Sequence, residues 1–121
     1  MILIVDDDDA ILEMLSEKLR ERGFTVRTAH DSLQAYKELR NPKCKLMILN
    51  LNMPKINGAE LLLLMASEGI DVPTIVTASD MPDLTEDEME QFPHVVGFRK
   101  KPYNQQDMLS LIFKHAKKYH A

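Results

Sequence analysis

Short apolar runs alternate along the whole chain with stretches whose apolar residues recur every three or four positions. No other feature limits the fold as much. Ile2 to Val5 is a β-branched run of the kind buried on both faces of a sheet. Residues 8–22 follow with Ile11, Leu12, Leu15 and Leu19 at helical spacing, and Gly23 ends them. The alternation continues with a strand at residues 24–29, a helix at 32–40 with Asp31 placed to cap it, and a strand at 45–49. A Leu-rich helix at 57–68 stops at Gly69, a strand at 72–78 opens with Pro73 near its start, and a short acidic helix covers 84–92. A strand at 95–99 and a helix at 104–119 close the series, the helix with Met108, Leu111, Ile112 and either His115 or Ala116 on one side. Strand and helix alternating five times predict an α/β fold: a parallel sheet covered by helices on both faces, joined by right-handed crossovers.

The chain has 121 residues, which suits one domain, residues 1–121, with one core. No apolar run approaches the ~20 residues of a membrane span. A net charge of −4 argues against nucleic acid as the direct partner. Cys44 is the one cysteine, so no disulfide framework exists, a cytoplasmic setting fits, and the thiol is expected to serve packing. The four histidines show no metal-ligand spacing, with His115 and His120 expected to face solvent, and no glycine-rich phosphate loop is present. Charge is split: Asp80, Asp83, Glu86, Asp87, Glu88 and Glu90 precede Arg99, Lys100, Lys101, Lys114, Lys117 and Lys118, with Asp107 the one acid among the latter. Two solvated faces account for this; so does a self-complementary surface over residues 84–118.

In an open parallel sheet, chemistry gathers at the carboxyl ends of the strands. Polar residues stand there: Asp6 and Asp7 after the first, Asn50 after the third, Thr77 and the small Ala78 at the end of the fourth, Lys101-Pro102 after the fifth. Asp8 and Asp9 lie at the start of the first helix, where one caps it and both favour its positive end. Leu61 to Leu64 read as core, and Tyr103 as packing under the last helix.

Taken together, Ile-Val-Asp-Asp at 4–7, Leu-Asn-Leu-Asn-Met-Pro at 49–54 with Asn57-Gly58, Thr77-Ala78, Phe98 and Lys101-Pro102 resemble the receiver domain of response regulators. The resemblance covers the whole chain. It implies a flavodoxin-like (βα)5 three-layer sandwich with strand order 2-1-3-4-5. It implies two-component phosphorelay signalling, in which a sensor histidine kinase or phosphotransfer protein delivers a phosphoryl group to the residue after the third strand, here Asn50. Mg²⁺ would be held by Asp6, Asp7, the position-50 side chain and the Asn52 carbonyl. Thr77 and Lys101 would contact the phosphoryl oxygens, Ala78 would leave them room, Phe98 would switch inward with Thr77, and the Lys101-Pro102 bond would be cis.

At position 50 the chain departs from that pattern. An amide carries no charge and is a very poor nucleophile, so no aspartyl-phosphate forms there. One carboxylate fewer also weakens Mg²⁺ binding and removes a partner of Lys101. A deliberate Asp→Asn change and a natural pseudo-receiver both give this pattern. The rival to a switching receiver is a phosphorylation-independent interaction module. A remote rival is a haloacid-dehalogenase-type phosphatase using Asp6 and Asp8, an Asp-x-Asp pair after a first strand.

Overall fold

The computed structural model describes residues 1–53, 57–79 and 85–116; Pro54, Asp80, Asp83, Lys117, Lys118 and His120 lie outside them, as does the Glu86 side chain. The element order is β1 (Ile2–Val5), α1 (Asp9–Glu21), β2 (Val26–Ala29), α2 (Ser32–Leu39), β3 (Leu46–Asn50), α3 (Gly58–Glu68), β4 (Thr74–Ala78), α4 (Glu86–Met89), β5 (Val95–Lys100) and α5 (Gln105–Ala116). The strands form one five-stranded sheet in the order β2-β1-β3-β4-β5 with parallel pairing throughout.

The period-2 alternation of each strand builds the two outer layers. Leu3, Val5, Met47, Leu49, Val76 and Ala78 point to the side where Ala35 and Leu39 of α2, Leu61, Leu62 and Met65 of α3, and Met89 of α4 pack. Ile2, Ile4, Leu46, Ile48 and Ile75 point to the side covered by Leu12, Leu15 and Leu19 of α1 and Met108, Leu111 and Ile112 of α5. Each such side chain moved out of water contributes about 1.5–3 kcal/mol.

Several boundaries differ from the sequence reading, each for a local reason. Strand β2 starts at Val26 because Gly23, at φ 89°, and Phe24 close the end of α1, their N–H groups donating to the Arg20 and Leu19 carbonyls. Phe24 then stacks on Phe113 of α5, ring centroids 6.2 Å apart. Strand β4 starts at Thr74: Pro73 has no N–H to give, and the Thr74 hydroxyl donates to the Val72 carbonyl at 2.9 Å. Helix α4 covers four residues, entered through a capping box in which the Glu88 N–H donates to Thr85 Oγ1 at 3.1 Å and the Thr85 N–H to Glu88 Oε1 at 3.3 Å. Of the Leu61 to Leu64 run only Leu61 and Leu62 are core; Leu63 is exposed, because a four-residue run spans more than the buried stripe of an 11-residue helix. His115 is half-buried on α5, beside the buried Ala116, and not fully in solvent. Asp8 is the cap of α1, its Oδ1 accepting from the Ala10 N–H.

Candidate functional site

Three inner strands deliver the site. Asn50 is the last residue of β3, lies level with Thr77 of β4, and is 3% exposed. Two residues beyond β3 the chain has turned, and α3 starts against the strand end: a Cβ on Gly58 would sit 2.7 Å from Leu51 Cα and 2.9 Å from the Asn50 carbonyl oxygen. Only glycine permits that approach. Asp6 directly follows β1 and is 3% exposed; Asp7 is exposed. Asp7, Asp8, Asn50, Asn52, Ser79 and Lys101 line a cleft of about 370 Å³ at this end of the sheet.

The polar groups are already paired with one another. Lys101 Nζ reaches Asp6 Oδ2 at 2.9 Å, and the Asp8 N–H donates to Asp6 Oδ1 at 3.0 Å. A buried carboxylate needs such partners to stay ionised. Asn50 Nδ2 donates toward Asp6 Oδ1, Asp7 Oδ1 and the Asn52 carbonyl, each at 3.3 Å, while Asn50 Oδ1 accepts from the Asn52 N–H at 3.2 Å. This network fixes the orientation of the amide: turned by half a revolution, it would aim its oxygen at two carboxylates and its NH₂ at an N–H donor.

Asp6, Asp7, Asn50, Asn52 and Lys101 come together. Thr77 is buried at the same level, and the Ala78 carbonyl accepts from the Lys101 N–H at 2.6 Å, tying β4 to the end of β5. The Lys101-Pro102 bond is cis. Phe98 of β5 is half-buried against the α2–α3–α4 side of the core. Lys101 keeps a carboxylate partner after all, in Asp6. Two contacts were not foreseen. Asn52 Oδ1 accepts from the Ser79 N–H at 2.7 Å, bridging the loops after β3 and β4. Tyr103 borders a groove with Ile11, Met14 and Lys101, its hydroxyl pushed up to about 12 by burial and by Asp6 and Asp8. Cys44 is buried and its thiol is pushed up to about 11, chiefly by desolvation, as suits packing.

A family model for the response regulator receiver domain matches residues 2–113. The chain belongs to that family. Among relatives, it is 38% identical over 80 residues to the response regulator MprA of Mycobacterium ulcerans, covering 65% of this chain and 34% of that protein. It is 46% identical over 61 residues to a CpxR homolog from Haemophilus influenzae, covering 50% of this chain and 26% of that one. The chain thus spans about a third of the length of the former and a quarter of the latter. Its fold matches the signal receiver domain of an HD domain-containing protein from Pseudomonas fluorescens with a TM-score of 0.83 at 23% identity, over 98% of this chain and 95% of that one. The response regulator StyR matches with a TM-score of 0.80 at 27% identity, over 97% and 59%.

Receiver domains are in general non-enzymatic signalling modules that partner with sensor histidine kinases or phosphotransfer proteins and bind Mg²⁺ at the phosphorylation site. The donor set here is of the right chemical kind for Mg²⁺, hard oxygens from two carboxylates and a carbonyl. The arrangement does not suit the ion. Position 50 turns the N–H groups of its amide, and not an oxygen, toward Asp6 Oδ1, Asp7 Oδ1 and the Asn52 carbonyl, so in this orientation the side chain offers a cation no ligand beside them. Among the described residues no helix is long and apolar enough to cross a membrane.

Proposed function

We propose that this receiver domain works in two-component signalling by binding a protein partner, and that it does not accept a phosphoryl group at position 50. The observation that carries the reading is the buried amide of Asn50, hydrogen-bonded to Asp6 and Asp7 where a nucleophilic carboxylate is required. Lys101, committed to Asp6, adds to a pocket that is complete without an incoming oxyanion. The domain would therefore hold one state of the family's switch permanently. The partners proposed are a sensor histidine kinase or phosphotransfer protein, or a second copy of the chain through residues 84–118. Edge strand β5 supports a surface there: Val96 is 36% exposed, and the strand is half-covered along most of its length. Its charge is partly answered from within, since Arg99 pairs with Asp107 at 2.6 Å. The buried thiol of Cys44 suits a cytoplasmic setting.

Intact mass after treatment with acetyl phosphate and Mg²⁺ tests this. The protein should gain no phosphoryl group, and Asn50→Asp should gain one. A phosphoryl group on the unaltered chain, lost on Thr77→Ala or Lys101→Ala, would overturn the reading.

A further inference from the structure

The three oxygens to which Asn50 Nδ2 donates are Asp6 Oδ1, Asp7 Oδ1 and the Asn52 carbonyl, all at the same 3.3 Å. They come from two different loops, and the equal distances mark the nitrogen as the point on which they converge. An NH₂ group carries two protons with partial positive charge. Placed there, it does for the paired carboxylates what a small cation would do, at lower strength: it lies between like charges and gives each an electropositive neighbour. Lys101 supplies a full positive charge from the other side, at 2.9 Å from Asp6 Oδ2.

A divalent ion entering this pocket meets those same protons. To offer it an oxygen, the Asn50 amide must turn over. It then gives up the bond from the Asn52 N–H and sets its own NH₂ against that donor. Loss of one negative charge is therefore only part of the change that an amide makes here. The amide also occupies the site.

We infer that the Asn50 side-chain amide is a built-in replacement for the metal ion, which holds the acid pocket assembled without a divalent cation and keeps one from binding. This rests on the reading of the cleft as the receiver pocket. It predicts an order of affinities that charge alone does not. Asn50→Ala removes an oxygen and adds no charge, so a pocket governed by ligand count would bind metal no better than before. If the amide is the obstacle, deleting it should improve binding.

Mn²⁺ titration followed by electron paramagnetic resonance measures this on the full chain. Asn50→Asp should bind tightest, Asn50→Ala next, and the unaltered protein weakest, at least about tenfold below Asn50→Asp. Asn50→Ser serves the same purpose if the alanine variant does not fold. Mn²⁺ binding by the unaltered protein equal to that of Asn50→Asp, or a small-residue variant that binds no tighter than the unaltered protein, overturns the inference. If Asn50→Asp binds no Mn²⁺ and takes no phosphoryl group from acetyl phosphate, the receiver-pocket reading falls as well, and the inference with it.

Discussion

The carboxyl end of the sheet has two halves that are built differently. On the β1–β3 side, Asp6 and Asn50 are each 3% exposed, and each is held by several hydrogen bonds, Asp6 also by the Lys101 ion pair. On the α4–β5 side, the edge strand is half-covered, α4 is a single turn, and the Arg99–Asp107 pair lies at the surface. Burial makes the difference. A charge or amide enclosed at low dielectric must be matched group by group, so the acid half has one good arrangement. Exposed pairs such as Arg99 with Asp107 contribute little and constrain little. On the proposed function, the acid half stays in one arrangement and the other half is the part that adapts to a partner.

The largest test of this contrast is Lys101→Met. It leaves a buried carboxylate with weaker partners and should lower stability by about 2–3 kcal/mol in urea unfolding. Arg99→Met, on the opposite half, should cost about 0.5 kcal/mol or less. Equal costs would break the comparison.

Next in size is the cap of α4. Thr85→Ala removes the hydroxyl that receives the Glu88 N–H, at a cost of about 1 kcal/mol. The effect should be local: the Met89 amide, bonded to the Thr85 carbonyl, should exchange its proton about fivefold faster while the amides of β1 stay unchanged. Acceleration spread evenly over both halves would contradict it.

The smallest effect concerns His94, at the approach to β5. It is 5% exposed, its Nε2 has no hydrogen-bond partner among the described residues, and its pKa is lowered from 6.5 by burial, partly countered by Asp71. The folded protein therefore resists protonation that the unfolded chain accepts. The stability His94 contributes is full above about pH 6.5 and is lost as pH falls through the lower folded value. Thermal unfolding from neutral to about pH 5 should show a smaller acid-side loss for His94→Gln than for the protein itself.

Much of this architecture is legible in the sequence. Strands β1, β3 and β4 are doubly buried, so they appear as unbroken apolar runs, and the polar residues that stop them mark the pocket. Phe24 misleads because it is apolar next to a strand yet belongs to the end of α1 and to Phe113. The capping box of α4 is present in the sequence as Thr85 and Glu88, three apart, but the surrounding acidic residues mask it. The hydrogen bonds of Asn50 were not legible. Sequence says that an amide cannot be phosphorylated; only geometry says which way it faces. The same holds for Asn52, whose side chain crosses to Ser79.

The central claim is that the Asn50 amide stands in the metal's place, and its own resonance reports on that directly. With ¹⁵N labelling, the side-chain NH₂ pair of Asn50, assigned by its loss in Asn50→Ala, should keep its chemical shifts as Mg²⁺ is raised to concentrations that saturate the Asn50→Asp variant. A saturable movement of that pair over the same range would show the amide yielding to the ion and would contradict the account.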